Sequence, residues 1–375
     1  MRPQFAQAAA DLRRDLENAD PDAFAQALAR EVARRNAAVL DGIEAYRQHP
    51  YSRDLPDPPV VWEEGTTRLL DYGGAPEATD PLGPPILFIP SLINRSYVLD
   101  LSGEISLLRW LAARGFRPLL VDWDRPGPDE RAFGLTEYVA GRLEAALDAA
   151  LDEAGQRMPA VGYCMGGTLA VGLAHRRQRD LTGLCLMATP WDFHADQGAQ
   201  ARLLARSMLP FAGIVDALGE MPTDFIQVLF TALDPQLAAR KFAAFARLPQ
   251  DTPKARAFVA LEDWLNDGVP LAAPVARECI FDWYGQNATA NANWRVAGRL
   301  VNPAEVEIPA LSLIPANDRI VPPASSQTLA DLLPAGQDFQ PPLGHIGMVV
   351  SGGAQKGVWE LMAEWLAEPG RSLNV

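Results

Sequence analysis

Near its middle the chain reads Met158-Pro159-Ala160-Val161-Gly162-Tyr163-Cys164-Met165-Gly166-Gly167-Thr168-Leu169. A short apolar run ends at Gly162, and an apolar, helix-like run starts after Gly167. This order predicts a strand, a tight turn at Cys164 and a helix. Gly162 and Gly166 lie two residues on either side of the cysteine, where any Cβ would collide with the neighbouring strand or helix. The thiol is therefore expected to point out of the turn over a helix N-terminus, which favours a thiolate.

The pattern around Cys164 matches the G-x-S-x-G nucleophile elbow with cysteine in place of serine. The alternative is a thiol buried in the core, which is how we interpret Cys185 and Cys279 because both lie in apolar surroundings. For Cys164 the strand, turn and helix context favours a nucleophile.

Composition limits the classes of protein to which the chain can belong. It has 375 residues, a net charge of −14 and three widely spaced cysteines. The charge argues against a nucleic-acid partner, and the cysteine spacing against a disulfide framework or a zinc site. We therefore expect no metal and no bound cofactor. No apolar run is long enough to span a membrane, and Met1–Gln4 leads into a charged segment without a signal-peptide core, so we expect a cytoplasmic protein.

The N-terminal part is predicted to be helical over residues 5–47, followed by a proline-rich linker. Phe24, Leu28 and Val32 repeat with a helical period. We favour a helix that packs on the outside of the core, and the alternative is a partner-docking or granule-surface role. The predicted segment, helices and linker together, is residues 1–58.

Residues 59–193 are predicted to be the first part of an α/β core. Buried strands are expected at 86–89, 118–122, 158–162 and 181–188, with helices between them. One of these helices is expected from Gly103 to Arg114, with Ser102 as its N-cap. The alternation of strands and helices predicts a mostly parallel sheet with right-handed crossovers.

Strand signals stop at residue 194 and resume near residue 301. Residues 194–300 have helical apolar patterns and many aromatic side chains, which predict a helical cap inserted over the nucleophile. Such a cap is either an ordinary packed subdomain or a lid that excludes water from an apolar tunnel, or both. Residues 301–375 are predicted to complete the core.

Three residues that follow predicted strands form a candidate catalytic group. Cys164, Asp318 and His345 come in the order nucleophile, acid, base, which is the order of the α/β-hydrolase fold. His345 would take the proton of Cys164, and Asp318 would fix the tautomer of His345. The backbone amides of Met165 and Leu92 would bind the oxyanion.

Other acids and histidines remain as alternatives. Asp122 and Asp192 also follow strands and compete with Asp318 for the role of the acid. His194, at the start of the cap, is the rival base. His49 lies in the linker, and His175 lies among arginines on a helix, so neither is favoured.

Several ungapped motifs between Pro84 and Leu366 resemble the polyhydroxyalkanoate synthases, particularly the short class III and IV types that work with a second subunit. The motifs are Pro90–Leu101, Val121–Trp123, Gly162–Thr168, Thr189–Phe193, Trp264–Pro270, Asn317–Pro323 and Gly344–Gly352.

This resemblance implies an α/β-hydrolase fold and an acyltransferase that polymerises 3-hydroxyacyl-coenzyme A through Cys164, Asp318 and His345. It also implies a homodimer and a second synthase subunit as partner. Arg95 and Arg319 would steer the phosphates of coenzyme A, which is a substrate, or form structural ion pairs. Two other functions stay open: a thioesterase or polyester-cleaving hydrolase with the same three residues, and a non-enzymatic paralogue that binds granules or a synthase.

Overall fold

The computed structural model describes residues 6–373. The Met1–Gln4 stretch and the predicted helix start at residue 5 lie outside this range. The described chain divides into two compact units. One comprises the residues up to Tyr51 together with Asp234–Val259, and the other comprises Ser52–Leu233 together with the residues from Ala260 onward. The domain boundaries predicted after residues 58, 193 and 300 stay predictions.

The larger unit is built around an eight-stranded sheet. Its strands are β1 Val60–Glu64, β2 Thr67–Asp71, β3 Pro85–Ile89, β4 Arg117–Asp122, β5 Met158–Tyr163, β6 Leu181–Met187, β7 Ala310–Leu313 and β8 Gly336–Phe339.

The strands lie side by side in the order β1-β2-β4-β3-β5-β6-β7-β8. Strand β2 pairs antiparallel with β1 and β4, and every other neighbouring pair is parallel. Every residue of β3, β4 and β5 is buried, as expected for parallel strands covered by helices on both faces. The predicted mostly parallel sheet of an α/β-hydrolase fold is confirmed, and it brings the carboxyl ends of β5, β7 and β8 to one edge.

Helices account for most of the remaining described residues. The α-helices are α1 Ala6–Glu17, α2 Pro21–Gln48, α3 Leu107–Ala112, α4 Glu144–Ala154, α5 Met165–Arg177, α6 Gly198–Met208, α7 Ala212–Leu218, α8 Thr223–Leu233, α9 Leu237–Phe245, α10 Pro253–Asn266, α11 Ala273–Arg277, α12 Pro323–Leu332, α13 Gly347–Val350, α14 Gly352–Ala354 and α15 Glu360–Ala367. The wider π-helical turns are Glu137–Leu143, Glu278–Gly285 and Gln355–Trp359.

The predicted helix from Gly103 to Arg114 is wrong in its first part. Asp100–Ser102 pairs antiparallel with Ile105–Ser106, and the helix starts only at Leu107. Ser102 Oγ accepts the Ile105 amide at 3.2 Å and closes the turn, while Ser106 Oγ accepts the Arg109 amide at 3.0 Å and caps the helix. The apolar spacing of this segment did not distinguish a tight strand pair from a first helical turn.

Between β6 and β7, in the segment predicted to be a cap, the larger unit is mainly helical. Its helices are α6, α7, α8 and α11, together with the part of α10 from Ala260 onward. Two-residue strands also occur there: Glu220–Met221 pairs with Leu271–Ala272, and Arg295–Val296 pairs with Arg299–Leu300.

The smaller unit contains α1, α2, α9 and the start of α10. Its core is Phe245, Ala255 and Val259, against which Tyr46 of α2 packs. The apolar stripe at the start of α2 was expected to be a packing face. Phe24, Leu28 and Val32 are instead 42%, 51% and 47% exposed, so that expectation is wrong for this half of the helix.

Candidate active site

Cys164 lies alone between the end of β5 at Tyr163 and the start of α5 at Met165. Its backbone has φ 55° and ψ −128°, a conformation that residues other than glycine rarely adopt. Hydrogen bonds hold it there, since the Cys164 amide donates to Met187 O at 2.8 Å and the Gly167 amide donates to Cys164 O at 2.9 Å. The tight turn predicted at the cysteine is present.

The two flanking glycines are needed because the backbones approach closely. A Cβ at Gly162 would overlap the Cα of Gly167 at the start of α5. A Cβ at Gly166 would overlap the carbonyl oxygens of Ile89 and Pro90 at the end of β3. Any side chain at these two positions would push the helix away from the sheet.

His345 and Asp318 form a buried hydrogen-bonded pair. His345 Nδ1 lies 2.7 Å from Asp318 Oδ2, and both side chains are less than one-tenth exposed. Asp318 Oδ1 accepts the amides of Ile320 at 2.8 Å and Val321 at 2.9 Å, so the carboxylate is held by its own loop. This arrangement orients the imidazole, and the charge of Cys164 raises the pKa of its ring.

The environment of His345 favours its charged form. Burial lowers the pKa of the imidazole, but the charge of Cys164 and the hydrogen bonds to Asp318 and Cys164 raise it by more, to about 10. An imidazolium beside a sulfur is the partner that a thiolate nucleophile needs. The structure thus brings together Cys164, His345 and Asp318 as predicted from their order in the sequence.

The rival acids have other partners. Asp122 accepts a hydrogen bond from Ser96 Oγ at 2.8 Å and pairs with Arg68 Nη2 at 2.6 Å. Asp192 Oδ1 accepts from Asn287 Nδ2 at 2.9 Å and from the His194 amide at 2.9 Å. Each of these carboxylates braces a loop, and it is Asp318 that contacts the His345 imidazole.

The rival histidines are also held elsewhere. His194 Nε2 lies 2.8 Å from Tyr284 O, and its Nδ1 lies 3.1 Å from Arg202 Nη1. Because one ring nitrogen faces a carbonyl and the other faces a guanidinium, neither is available to take a proton from Cys164. His49 contacts Gln250 O at 2.9 Å, and His175 contacts Glu305 at 2.9 Å.

The two predicted oxyanion donors belong to segments that meet at the cysteine. Met165 is the first residue of α5, where amides lack a partner within the helix. Leu92 lies in the loop after β3, and the next amide, that of Ile93, donates to Ser91 Oγ at 2.9 Å. Ile93 lines the same cavity as Cys164 and Met165. The loop therefore reaches the cavity at the nucleophile, and the oxyanion contacts of the Leu92 and Met165 amides stay predictions.

A cavity of about 380 Å³ opens at Cys164. This volume lies within the range of small-molecule sites, about 300–1,000 Å³. One wall comes from the core and includes Ile93, Pro190, Ile320, Val321 and Pro322. The other comes from the cap and includes Leu204, Leu229, Phe230, Cys279, Trp283 and Tyr284. The space around the sulfur is mainly apolar.

Two residues of this region were not singled out from the sequence. Tyr163 Oη donates to His345 O at 3.3 Å, and its ring lies 5.4 Å from the imidazole. Its place directly before the cysteine was the available signal. Cys279 was interpreted as a core thiol, and it lies in the wall of the cavity. Burial raises the pKa of this thiol and so keeps it neutral. Its place in the cavity wall has no local signal in the sequence.

Arg95 and Arg319 lie in different surroundings. Arg95 pairs with Asp124 and lies 3.5 Å from Asp267 Oδ1, with 28% of its side chain exposed. The ion-pair alternative is therefore what the structure contains. Arg319 is exposed and follows Asp318 directly. Its predicted contact with substrate phosphates stays a prediction.

Residues 6–373 contain neither a metal-binding cluster nor a membrane-spanning helix. No group of three or more His, Cys, Asp or Glu side chains in this range could hold a metal ion. The same residues contain no helix that is both long and apolar enough to cross a bilayer.

The amino-acid sequence is similar to one family model and to several known proteins. A family model described as alpha/beta hydrolase fold matches residues 84–348. The chain is 30% identical to the poly(3-hydroxyalkanoate) polymerase subunit PhaC of Synechocystis sp., over 82% of this chain and 84% of the relative. It is also 30% identical to the protein of that name from Allochromatium vinosum, over 82% of this chain and 88% of the relative.

Solved structures agree on the fold. BpoC from Mycobacterium tuberculosis aligns with a TM-score of 0.52 and 16% identity, covering 86% of this chain and all of that one. A thermophilic esterase from Thermogutta terrifontis aligns with a TM-score of 0.50 and 18% identity, over 85% of this chain and all of that one. At this identity the likeness concerns the fold alone.

Proposed function

The chain belongs to the poly(3-hydroxyalkanoate) polymerase family on an α/β-hydrolase fold, and from this premise we propose that it polymerises 3-hydroxyacyl-coenzyme A through an acyl group on Cys164. Membership confirms the resemblance that the sequence motifs indicated. The observation that carries the proposal is the Cys164 elbow, which lines an apolar cavity, together with the buried His345–Asp318 pair, whose imidazole pKa the Cys164 charge raises.

The first step forms the acyl enzyme. The Cys164 thiolate attacks the thioester carbonyl, and the oxyanion accepts hydrogen bonds from the Met165 and Leu92 amides. The carbon–sulfur bond to coenzyme A then breaks, and the leaving thiolate takes the proton of the His345 imidazolium. One thioester replaces another, so the acyl group keeps its reactivity.

The second step forms the ester bond. The hydroxyl of a second monomer or of the growing chain gives its proton to His345 and attacks the acyl carbonyl. The bond to Cys164 breaks, and the thiolate returns. Asp318 keeps the imidazole oriented through both steps. Water would compete with the hydroxyl, so the reaction needs the apolar cavity walls to exclude it.

The substrate and its partners follow from the same proposal. Coenzyme A is a substrate, and the mechanism uses no bound cofactor or metal. Arg319, exposed beside Asp318, is a candidate for its phosphates, which an acidic protein would otherwise repel. We expect a homodimer that works with a second synthase subunit, since the relatives are named as polymerase subunits. We also expect a cytoplasmic enzyme at the polyester granule surface.

The test is to mix the purified protein with 3-hydroxybutyryl-coenzyme A and to follow both free thiol and product. Thiol release with insoluble polyester is the expected result, and a Cys164→Ala variant should give neither. Short and medium 3-hydroxyacyl thioesters, tried in turn, would define the accepted side-chain length.

The same assay decides between the alternatives. Release of thiol with only free hydroxy acid would assign a thioesterase or hydrolase with the same residues. The absence of thiol release, even with candidate partner subunits present, would count against both enzymes. A Cys164→Ala variant that keeps full cellular function would favour a non-enzymatic paralogue.

A further inference from the structure

The loop that carries Leu92 is tied to the segment that ends α10. Trp264 Nε1 donates to Arg95 O at 2.8 Å, and Tyr97 Oη donates to Asp267 Oδ2 at 3.1 Å. The Arg95 guanidinium lies between two carboxylates, with Nε 3.5 Å from Asp267 Oδ1 and Nη1 paired to Asp124. Together with the hydrogen bond from Ser96 Oγ to Asp122 Oδ1 at 2.8 Å, these contacts fix residues 95–97 from outside the loop.

The loop has other contacts as well: Trp123 Nε1 donates to Pro90 O at 3.0 Å, Ser96 Oγ donates to Asp122, and the Leu92 side chain is buried in the core. It leaves β3 at Ile89, and Asn94 adopts a left-handed backbone with φ 68°. Ser91 Oγ accepts the Ile93 amide, which forms one local turn. The stretch between these points makes no strand pairing in the described sheet. Arg95 and Asp267 add a charged contact between this loop and the residue that follows α10.

Resting on the function proposed above, we infer that Arg95 and Asp267 are positioning residues that hold the Leu92 amide at the oxyanion, and that Arg95 does not bind coenzyme A phosphates. An oxyanion donor acts only when it is held at hydrogen-bond distance from the charge that develops. The two carboxylates on Arg95 already offset its charge, so a phosphate would have to displace them. Asp267 and Tyr97 extend the same tie toward α10.

Two reactions of Cys164 separate this role from a general disturbance of the site. Acylation by a thioester develops an oxyanion, whereas alkylation by iodoacetamide displaces iodide and develops none. Arg95→Gln and Asp267→Asn should each slow acylation about tenfold. Their KM should stay unchanged, and the alkylation rate should stay that of the wild type. Arg95→Lys keeps the positive charge but loses the planar guanidinium group, so its acylation rate should lie between those of the wild type and Arg95→Gln.

A thioester without phosphates separates positioning from phosphate binding. The variants should lose the same fraction of their acylation rate with 3-hydroxybutyryl-coenzyme A and with the N-acetylcysteamine thioester, which carries no phosphate. A loss seen with the coenzyme A ester alone would assign Arg95 to phosphate binding and overturn the inference. Equal losses in acylation and alkylation would also overturn it, because the defect would then lie at Cys164 or His345.

Arg177→Gln is the matched control, since Arg177 is 23% exposed and pairs with Asp148 and Asp180 at the far end of α5. It should lower thermal stability without changing acylation. If Arg95→Gln does not fold, Asp267→Asn and Tyr97→Phe carry the test. Two results together would refute the positioning role alone. The wild-type protein would be alkylated at Cys164 and make polyester, and the variants would be acylated at the wild-type rate. A wild-type protein that is alkylated but accepts no acyl group would refute the proposed function as well.

Discussion

The two walls of the cavity differ in how their residues are held. On the core wall, Cys164 has a strained backbone, and His345 and Asp318, which lie outside the lining of the cavity, are fixed by hydrogen bonds to their neighbours. On the cap wall, side chains such as Leu229 and Phe230 are apolar and contribute surface rather than directed contacts. Under the proposed function, we expect the first wall to determine which bonds form and the second to determine which acyl group fits.

Apolar packing tolerates exchange when volume is kept, whereas a hydrogen-bonded group loses its function when one partner is changed. Substitutions on the core wall should therefore remove activity, and those on the cap wall should redirect it. The variants below test that contrast.

Replacing the nucleophile should have the largest effect. Cys164→Ala should lower acyl transfer from 3-hydroxybutyryl-coenzyme A by at least about 10³-fold, because the proposed acyl intermediate forms on the Cys164 sulfur. Thiol release under initial-rate conditions measures it. Cys185→Ala, a change within the buried strand β6, is the control, and this variant should still carry a covalently bound acyl group. A covalently bound acyl group on the Cys164→Ala protein would contradict the assignment of Cys164 as the nucleophile.

Asp318→Asn should come next, with a loss of about 10²–10⁴-fold in kcat. The carboxylate is one of the groups that raise the pKa of His345, so its removal lowers that pKa and weakens the thiolate–imidazolium pair. Iodoacetamide alkylation of Cys164 should therefore slow most near neutral pH. The difference in alkylation rate between the variant and the wild type should become smaller toward pH 10, where the wild-type imidazolium also loses its proton. A difference in alkylation rate that stays the same at every pH would contradict this account.

The core wall was predictable from the sequence because its constraints are local or topological. Gly162 and Gly166 mark the tight turn, and parallel strands bring Cys164, Asp318 and His345 to one sheet edge wherever the intervening chain goes. The ion pairs of Arg95 were not predictable. Asp124 and Asp267 lie 29 and 172 residues away along the chain, and two alternatives for Arg95 stayed open until the structure was known.

The cap and the N-terminal helices were predicted as helices but not in their packing. Helical period identifies an apolar face without naming what covers it, so Phe24 and Leu28 were expected to be packed and are exposed. Segment 234–259 belongs to the same compact unit as the residues up to Tyr51, although it lies inside the predicted cap. Such pairings between distant segments leave no periodic signal in either one.

A cap-wall substitution should alter selectivity rather than chemistry. Leu229→Trp would fill part of the cavity, so kcat/KM should fall about tenfold for a medium-chain 3-hydroxyacyl thioester and change little for the short one. Val228→Trp is the matched control, because Val228 is the neighbouring residue on α8 and is 67% exposed. Equal losses for both substrates would indicate that the cap wall acts on the reaction itself.

Tyr163→Phe should give the smallest effect, and it tests whether the core wall extends to the residue before the nucleophile. The change removes the hydrogen bond to His345 O but keeps the ring beside the imidazole. A bond to a neutral carbonyl is worth about 1 kcal/mol, so kcat should fall about fivefold with KM unchanged. Tyr72→Phe removes a buried hydroxyl that bonds Asp100 at 3.1 Å, far along the chain from the site, and should lower thermal stability without this loss. If both variants lose only thermal stability, the Tyr163 hydroxyl stabilises strand β5 and does not affect the reaction. The hydrogen bonds that affect the reaction would then be those of Cys164, His345 and Asp318.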